Sequence, residues 1–193
     1  MIGKGKSISH GVAALEYDLA KEINGQAVAT EIARHELYGC TGAEMVQEMK
    51  PYHIDFPNVK NNCLRFEVSP SIEESATFTD ADWAELGNDF MQRMGLANHQ
   101  YIIIRHSGTE SKKEQAHLHI LANRVSLSGE LYRDNWIGKK ATEAANAIAK
   151  ERNFVQSQDI GKVNKAEIKE AMDGVLKKMQ GFDFTKFKEE LGK

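Results

Sequence analysis

The amino-acid sequence predicts an α+β fold, in which several strands that need not be parallel alternate with helices. Residues 62–69 carry an alternation of apolar and polar side chains, which predicts a strand with one buried face. Two apolar runs, residues 101–105 and 118–125, predict a pair of strands joined as a hairpin. Between these segments, apolar residues recur at helical spacing. These observations together set the fold class.

The first elements are short. Residues 3–9 alternate Gly or Ser with Lys and Ile, which predicts an edge strand or an extended arm. An apolar stripe at helical spacing predicts a helix over residues 12–22, which Asn24-Gly25 stops. A second helix is expected over residues 43–49, after a break at Cys40-Thr41-Gly42.

The remaining elements follow from caps and turns. Pro70 ends the strand at residues 62–69, and the capping residues from Thr79 start a helix that Gly95 closes. Beyond the hairpin, residues 126–135 predict a turn. Helices are then expected over residues 139–152 and 165–179, with the start of another over residues 182–191.

Length and composition fit one domain with a helical extension. Hydrophobic residues make up 41% of the 193 positions, enough for a packed core. We expect a main domain over residues 1–160 and a C-terminal helical extension over 161–193, which begins the rest of a longer parent protein. Two cysteines make no disulfide framework, so the chain is expected in the cytoplasm. No apolar run approaches the roughly 18 residues of a membrane span.

The overall charge does not mark the chain as a nucleic-acid binder. The net charge is −3, from 25 basic and 28 acidic side chains, whereas such binders are commonly basic. Binding depends on a local basic groove, however, and acidic residues can occupy the far face of a domain. The charge balance therefore leaves nucleic-acid binding open.

Three histidines carry the main chemical signal. His117 and His119 occupy alternate positions of an apolar run, so on a strand both imidazoles point to the same face. His106 ends the preceding run, and a hairpin would bring it beside the pair. Three such nitrogens can share a metal ion and leave positions open for catalysis. A structural role for a His-x-His pair on a strand remains the alternative.

The chain resembles the relaxases, or mobilization nucleases, of mobilizable plasmids and transposons, particularly the Bacteroides-type members. The resemblance spans nearly the whole chain. Its most specific part is the order of an early tyrosine, one histidine, then His-hydrophobic-His followed by Asn-Arg. The matching segments are Met1-Ile2-Gly3-Lys4-Gly5-Lys6-Ser7-Ile8-Ser9-His10, Leu64-Arg65-Phe66-Glu67-Val68-Ser69-Pro70, the histidine hairpin ending in Asn123-Arg124, and Trp136-Ile137-Gly138-Lys139-Lys140.

The resemblance implies a Tyr plus His-hydrophobic-His endonuclease, with a central antiparallel β-sheet flanked by helices. Such enzymes nick one DNA strand at an origin of transfer, stay covalently attached to its 5′ end and later rejoin it. Tyr17 would be the nucleophile, with Tyr52 as the second choice. His106, His117 and His119 would bind a divalent metal, Mg or Mn, with Zn or Ni as crystal substitutes.

Two departures from the family pattern concern the metal site. Ten residues separate His106 from His117, where relatives usually have a short gap. Gly108 also stands where relatives often place Asp. Ligand orientation would then fall to another group, and Glu67 on the neighbouring strand is the candidate. A solvated strand glutamate is the alternative for Glu67.

The implied partners are single-stranded and hairpin DNA at an origin of transfer, with accessory mobilization proteins and no membrane. Phosphate contacts are expected from lysines and an arginine, and Trp136 could stack on a base. The cationic candidates are Lys4, Lys6, Arg124, Lys139 and Lys140. A solvated surface charge is the alternative for each cation, and a core position is the alternative for Trp136.

Two other functions remain open at this point. A non-catalytic DNA-binding module of the same fold would keep the sheet and lose competent metal binding, and Gly108 and the long insertion favour it. A rolling-circle replication initiator of the same superfamily is the other, although initiators usually place the tyrosine after the histidines.

Overall fold

The computed structural model describes residues 1–108, 115–179 and 181–191. It divides into two compact units, Met1–Phe154 and Val155–Lys193. The predicted boundary after residue 160 falls inside a helix of the second unit, and its functional meaning remains a prediction. No helix among the described residues is long and apolar enough to cross a bilayer.

The first unit is built on a five-stranded sheet in which all neighbouring strands are antiparallel. The strand order is β1-β5-β7-β6-β4. The strands are β1 (Ile2–Ile8), β4 (Ala29–His35), β5 (Cys63–Ser69), β6 (His99–His106) and β7 (His117–Ser126), and a separate hairpin joins β2 (Glu22–Ile23) to β3 (Gln26–Ala27). The predicted α+β fold with a central antiparallel sheet flanked by helices is confirmed.

Most of the helices expected from the sequence agree with the structure within a few residues. They are α1 (Gly11–Leu19), α2 (Gly42–Met49), α3 (Ile72–Ser75), α4 (Asp80–Arg93), α5 (Ile137–Glu151), α6 (Ser157–Lys178) and α7 (Phe184–Leu191), with a 3-10 helix at Lys50–His53. Capping boxes start α2 at Thr41 and α4 at Thr79, because each side-chain oxygen accepts the third backbone N–H of its helix.

Two expectations about helix bounds were wrong, and one strand was missed. Helix α1 ends at Leu19, before Glu22, because the next residues pair in the β2–β3 hairpin. Helix α6 starts at Ser157, well before residue 165. Strand β4 was not predicted, since Ile32 is its one large apolar residue and none of its residues is fully buried. A weak alternation of this kind gives little periodic signal.

The two faces of the sheet carry separate cores. Helices α4 and α5 cover one face, where Phe66, Phe90 and Ile120 are buried. Helices α1 and α2 cover the other, where Leu15 and Met45 pack against the sheet. Since side chains alternate along a strand, the three histidines of β6 and β7 point to the α1 and α2 side.

Candidate active site

The three histidines converge at one end of the β6–β7 hairpin. His106 lies opposite His117 in the strand register, and His119 follows two residues along the same face. One ligand atom from each ring lies within 4.8 Å of the others, and no comparable group occurs elsewhere in the described parts of the chain. The Nε2 atoms of His117 and His119 are 3.1 Å apart. Two nitrogens that share an ion at about 2.1 Å stand roughly 3.0–3.4 Å apart, so this spacing fits one shared ion.

Burial favours the neutral form of two of these imidazoles, those of His106 and His119. The pKa of His119 is lowered to about 2, mainly by burial and in addition by the nearby His106, His117 and Arg65. Burial also lowers the pKa of His106, although a hydrogen bond with the backbone carbonyl of Asp18 opposes this shift. A metal binds the deprotonated ring. At neutral pH, His106 and His119 can therefore each offer an unprotonated ring nitrogen to a metal ion without releasing a proton.

Asp18 is the site residue that sequence reasoning missed. Its carboxylate is buried, with 2% exposure, and accepts hydrogen bonds from Arg65 Nε at 3.0 Å and Nη2 at 2.5 Å. His119 Nδ1 lies 3.9 Å from Asp18 Oδ1, and His106 Nε2 lies 2.7 Å from the Asp18 carbonyl oxygen. Helix α1 is thereby tied to two of the three histidines.

The local signal for Asp18 was present in the sequence. It lies three and four residues after Leu15 and Ala14, on the buried stripe of α1. A charged residue at a core-facing position of an amphipathic helix needs a buried partner. That partner, Arg65, lies 47 positions away, where no local pattern points to it.

Tyr17 lies on α1, on the side of the sheet that carries the triad. Its side chain is 56% exposed, and its hydroxyl accepts a hydrogen bond from Lys21 Nζ at 2.7 Å. Burial is the main cause of the lowered pKa of His106, and the charge of Lys21 is a minor one. Tyr17 does not line the cavity beside His119.

A cavity beside His119 collects several predicted residues. It is lined by Lys4, Lys6, Arg65 and Glu67 together with the imidazole. The register places Glu67 opposite His119 on β5, yet its carboxylate accepts a hydrogen bond from Lys4 Nζ at 3.0 Å. The imidazoles contact Asp18, Arg65 and the Gln115 carbonyl oxygen instead, so the orienting role of Glu67 remains a prediction.

Arg124 lies away from this cavity. Its guanidinium donates to the carbonyl oxygens of Tyr132 and Asn61 and pairs with Asp134 at 2.7 Å. The side chain is mostly buried and ties three segments together. In the structure, Arg124 stabilises the packing of these segments. A contact between Arg124 and DNA stays a prediction.

Tyr52 lies in the 3-10 helix, beside His53. His53 Nε2 is 2.7 Å from Asn123 Oδ1, which places this helix near Asn123 on β7. Four residues along a strand span about 13 Å, so Asn123 lies well away from His119. Asp18, the neighbour of Tyr17, contacts the triad, so Tyr17 stays ahead of Tyr52 as the candidate nucleophile.

The last three predicted DNA contacts lie at the start of α5, on the opposite face of the sheet. Trp136 is 81% exposed, so its alternative as a core residue is wrong. Lys139 Nζ lies 3.8 Å from Glu143, and Lys140 Nζ donates to the Arg133 carbonyl oxygen.

The insertion between the histidine strands is described only at its ends. Gly108 is buried, while residues 109–114 lie outside the described residues. The long gap nevertheless leaves His106 and His117 paired in register. The insertion therefore does not separate the ligands.

A histidine triad on an antiparallel sheet, next to a helix that carries a tyrosine, suits a metal-dependent nuclease. The family described as "Relaxase: MobA/VirD2-like, nuclease domain" matches residues 17–154, well over half of the chain. The chain belongs to this family and is a DNA relaxase, as the sequence predicted. The match does not distinguish the Bacteroides-type members from others.

Two solved structures are similar to the chain. Both are of the conjugative relaxase TrwC in complex with oriT DNA, one metal-free and one metal-bound. They share 9% and 10% identity with the chain, with TM-scores of 0.48 and 0.47. The alignments cover 98% and 99% of this chain and 89% and 90% of theirs. No curated protein matches the chain in sequence.

Proposed function

We propose that this domain nicks one DNA strand at an origin of transfer, with Tyr17 as the nucleophile, and later rejoins it. The observation that carries the proposal is the tie between α1 and the histidine triad through Asp18. This tie holds the residue next to Tyr17 against the triad. Without these contacts, the fold alone would not fix the position of Tyr17 relative to the histidines.

His106, His117 and His119 would hold the divalent ion. Neutral imidazoles leave the ion's charge uncancelled, which suits an ion that polarises a phosphate oxygen. Imidazole donors favour transition ions such as Zn or Ni over Mg. Mg or Mn remains our proposal for the ion in the cell, and Zn or Ni for the ion in a crystal.

Tyr17 would attack the scissile phosphorus through its phenol oxygen. The new O–P bond forms as the bond to the 3′ oxygen breaks, and that strand leaves as a 3′ hydroxyl. Lys21 Nζ, 2.7 Å from the phenol oxygen, would stabilise negative charge there during attack and again when the phenolate leaves on rejoining. The phosphotyrosine link conserves the phosphodiester, so resealing needs no external energy source.

Glu67, Lys4 and Lys6 would serve the DNA strand in the cavity beside His119. The lysines would contact phosphates, and Glu67 would orient a ligand or accept a proton. Single-stranded and hairpin DNA at the origin would be the substrate. Accessory mobilization proteins would be the partners, and the reaction would take place in the cytoplasm.

The test is formation of a denaturant-stable protein–DNA adduct on single-stranded origin DNA with Mn. Tyr17→Phe should abolish the adduct, while Tyr52→Phe, the matched control, should retain it. His117→Ala should abolish both the adduct and Mn binding measured by calorimetry. An adduct that survives Tyr17→Phe refutes the assignment. DNA binding without an adduct in the wild-type protein favours a non-catalytic module instead.

A further inference from the structure

We infer that single-stranded DNA leaves the cavity beside His119, crosses the edge strand β1, and stacks a base on Trp136. The inference rests on the proposed function and adds a path for the strand. We call Trp136, Lys139 and Lys140 the α5 platform. It lies on the face of the sheet opposite the histidine triad, and the edge strand β1 lies between the two.

Trp136 is presented to solvent at an energetic cost. Its ring is 81% exposed, whereas Trp83 is 2% exposed in the core. Its backbone φ is +59°, a left-handed conformation that is costly for a bulky residue. The next residue, Ile137, is buried in the core against which α5 packs. The chain therefore turns the indole outward at the point where α5 begins.

The platform has the chemistry of a single-strand contact. An aromatic face accepts any unstacked base, and lysines beside it meet the flanking phosphates. Trp136, Lys139 and Lys140 line one surface cavity with Glu143. Glu143 is 3.8 Å from Lys139, and both side chains are exposed. An exposed pair of this kind is weak, so a phosphate can replace the carboxylate.

The start of α5, which carries the platform, lies against β1, and Gly5 of β1 lines the cavity beside His119. Lys4 and Lys6 point to the triad side of β1 and line that cavity. Gly5, between them, lies against the start of α5: a Cβ added to Gly138 would stand 3.5 Å from the Gly5 carbonyl oxygen. β5 lies between β7 and β1, and adjacent strands are about 4.8 Å apart, so roughly 10 Å separates His119 from the edge. A few nucleotides can span this path.

Intrinsic fluorescence provides the test, because the chain has two tryptophans and Trp83 is buried. All proteins in this assay would carry Tyr17→Phe, so that DNA binding is measured without formation of an adduct. Cleavage is tested separately in the adduct assay, so its failure would not affect this result. Oligothymidylates of increasing length should quench the fluorescence once they reach Trp136. Trp136→Ala should remove the quenching and weaken binding of the longer oligonucleotides by about 5- to 100-fold. Tyr38→Ala, which removes an aromatic side chain of 76% exposure elsewhere, should bind like the parent.

An abasic scan locates the stacked base. In the parent protein, removal of the base at one position of the oligonucleotide should weaken binding by the same factor as Trp136→Ala does. In the Trp136→Ala protein, removal of that base should have no further effect on binding. Lys139→Gln should lower the dependence of binding on salt by about one ion. If Trp136→Ala binds long and short oligonucleotides as tightly as the parent, the path across β1 is wrong.

Discussion

Replacing Asp18 with Asn tests how the buried ion pair supports both the fold and the metal site. The substitution keeps the shape of the side chain and removes its negative charge. Breaking a buried pair generally costs about 3–5 kcal/mol, because the remaining charge is left without a partner. Arg65 is 21% exposed and reaches water in part. We therefore expect a loss of about 2–3 kcal/mol in the free energy of unfolding.

The same substitution should weaken metal binding. Asp18 Oδ1 lies 3.9 Å from His119 Nδ1 and compensates the charge of Arg65 beside that ring. Loss of a group that orients a ligating histidine typically costs 10- to 100-fold in metal affinity. Calorimetry with Mn or Zn measures this affinity, and urea unfolding with EDTA measures the stability.

Two variants separate the explanation from a general defect. Asp89→Asn removes the carboxylate of a surface pair with Arg93, and it should cost less than about 1 kcal/mol and leave metal affinity unchanged. Arg65→Met combined with Asp18→Asn should cost less than the two single changes added together. Metal affinity and stability that both stay at wild-type values in Asp18→Asn would refute the reasoning.

The remaining predictions concern acid, glycine and backbone strain. The folded state keeps His119 neutral, whereas the same histidine in the unfolded chain takes up a proton near pH 6.5. The metal-free protein should therefore lose stability as pH falls below about 6.5. The loss should reach up to about 1.4 kcal/mol per pH unit for each such histidine. His119→Gln should make urea unfolding less pH-dependent; an unchanged slope would contradict this. Gly3→Ala should lower the free energy of unfolding by about 1–3 kcal/mol, because its Cβ would meet the Ala141 carbonyl oxygen at 2.4 Å. Gly174→Ala should raise it by about 0.5–1 kcal/mol, because the position lies in a helix with open space around it. Equal thermal shifts in the two variants would exclude the close approach as the cause. Trp136→Gly should gain about 0.5–1 kcal/mol, since glycine relieves the left-handed backbone, and a clear loss of stability would count against strain.

Local patterns were sufficient to predict the elements that position the site. The alternation around Leu64 and Phe66 gave β5, and the apolar runs gave β6 and β7 with their histidines on one face. The capping residue Thr79 gave the start of α4. These signals work because each depends on residues a few positions apart.

The sequence by itself determined the fold class, the family and the placement of three histidines at one end of a hairpin. These follow from side-chain alternation within strands and from the order of motifs along the chain. The tertiary structure alone decided that Asp18 contacts the triad, that Glu67 pairs with Lys4, and that Trp136 faces solvent. The partners of Asp18 lie 47 and 88 positions away in the chain. Contacts over such separations depend on how α1 packs on the sheet, which periodicity along the chain does not encode.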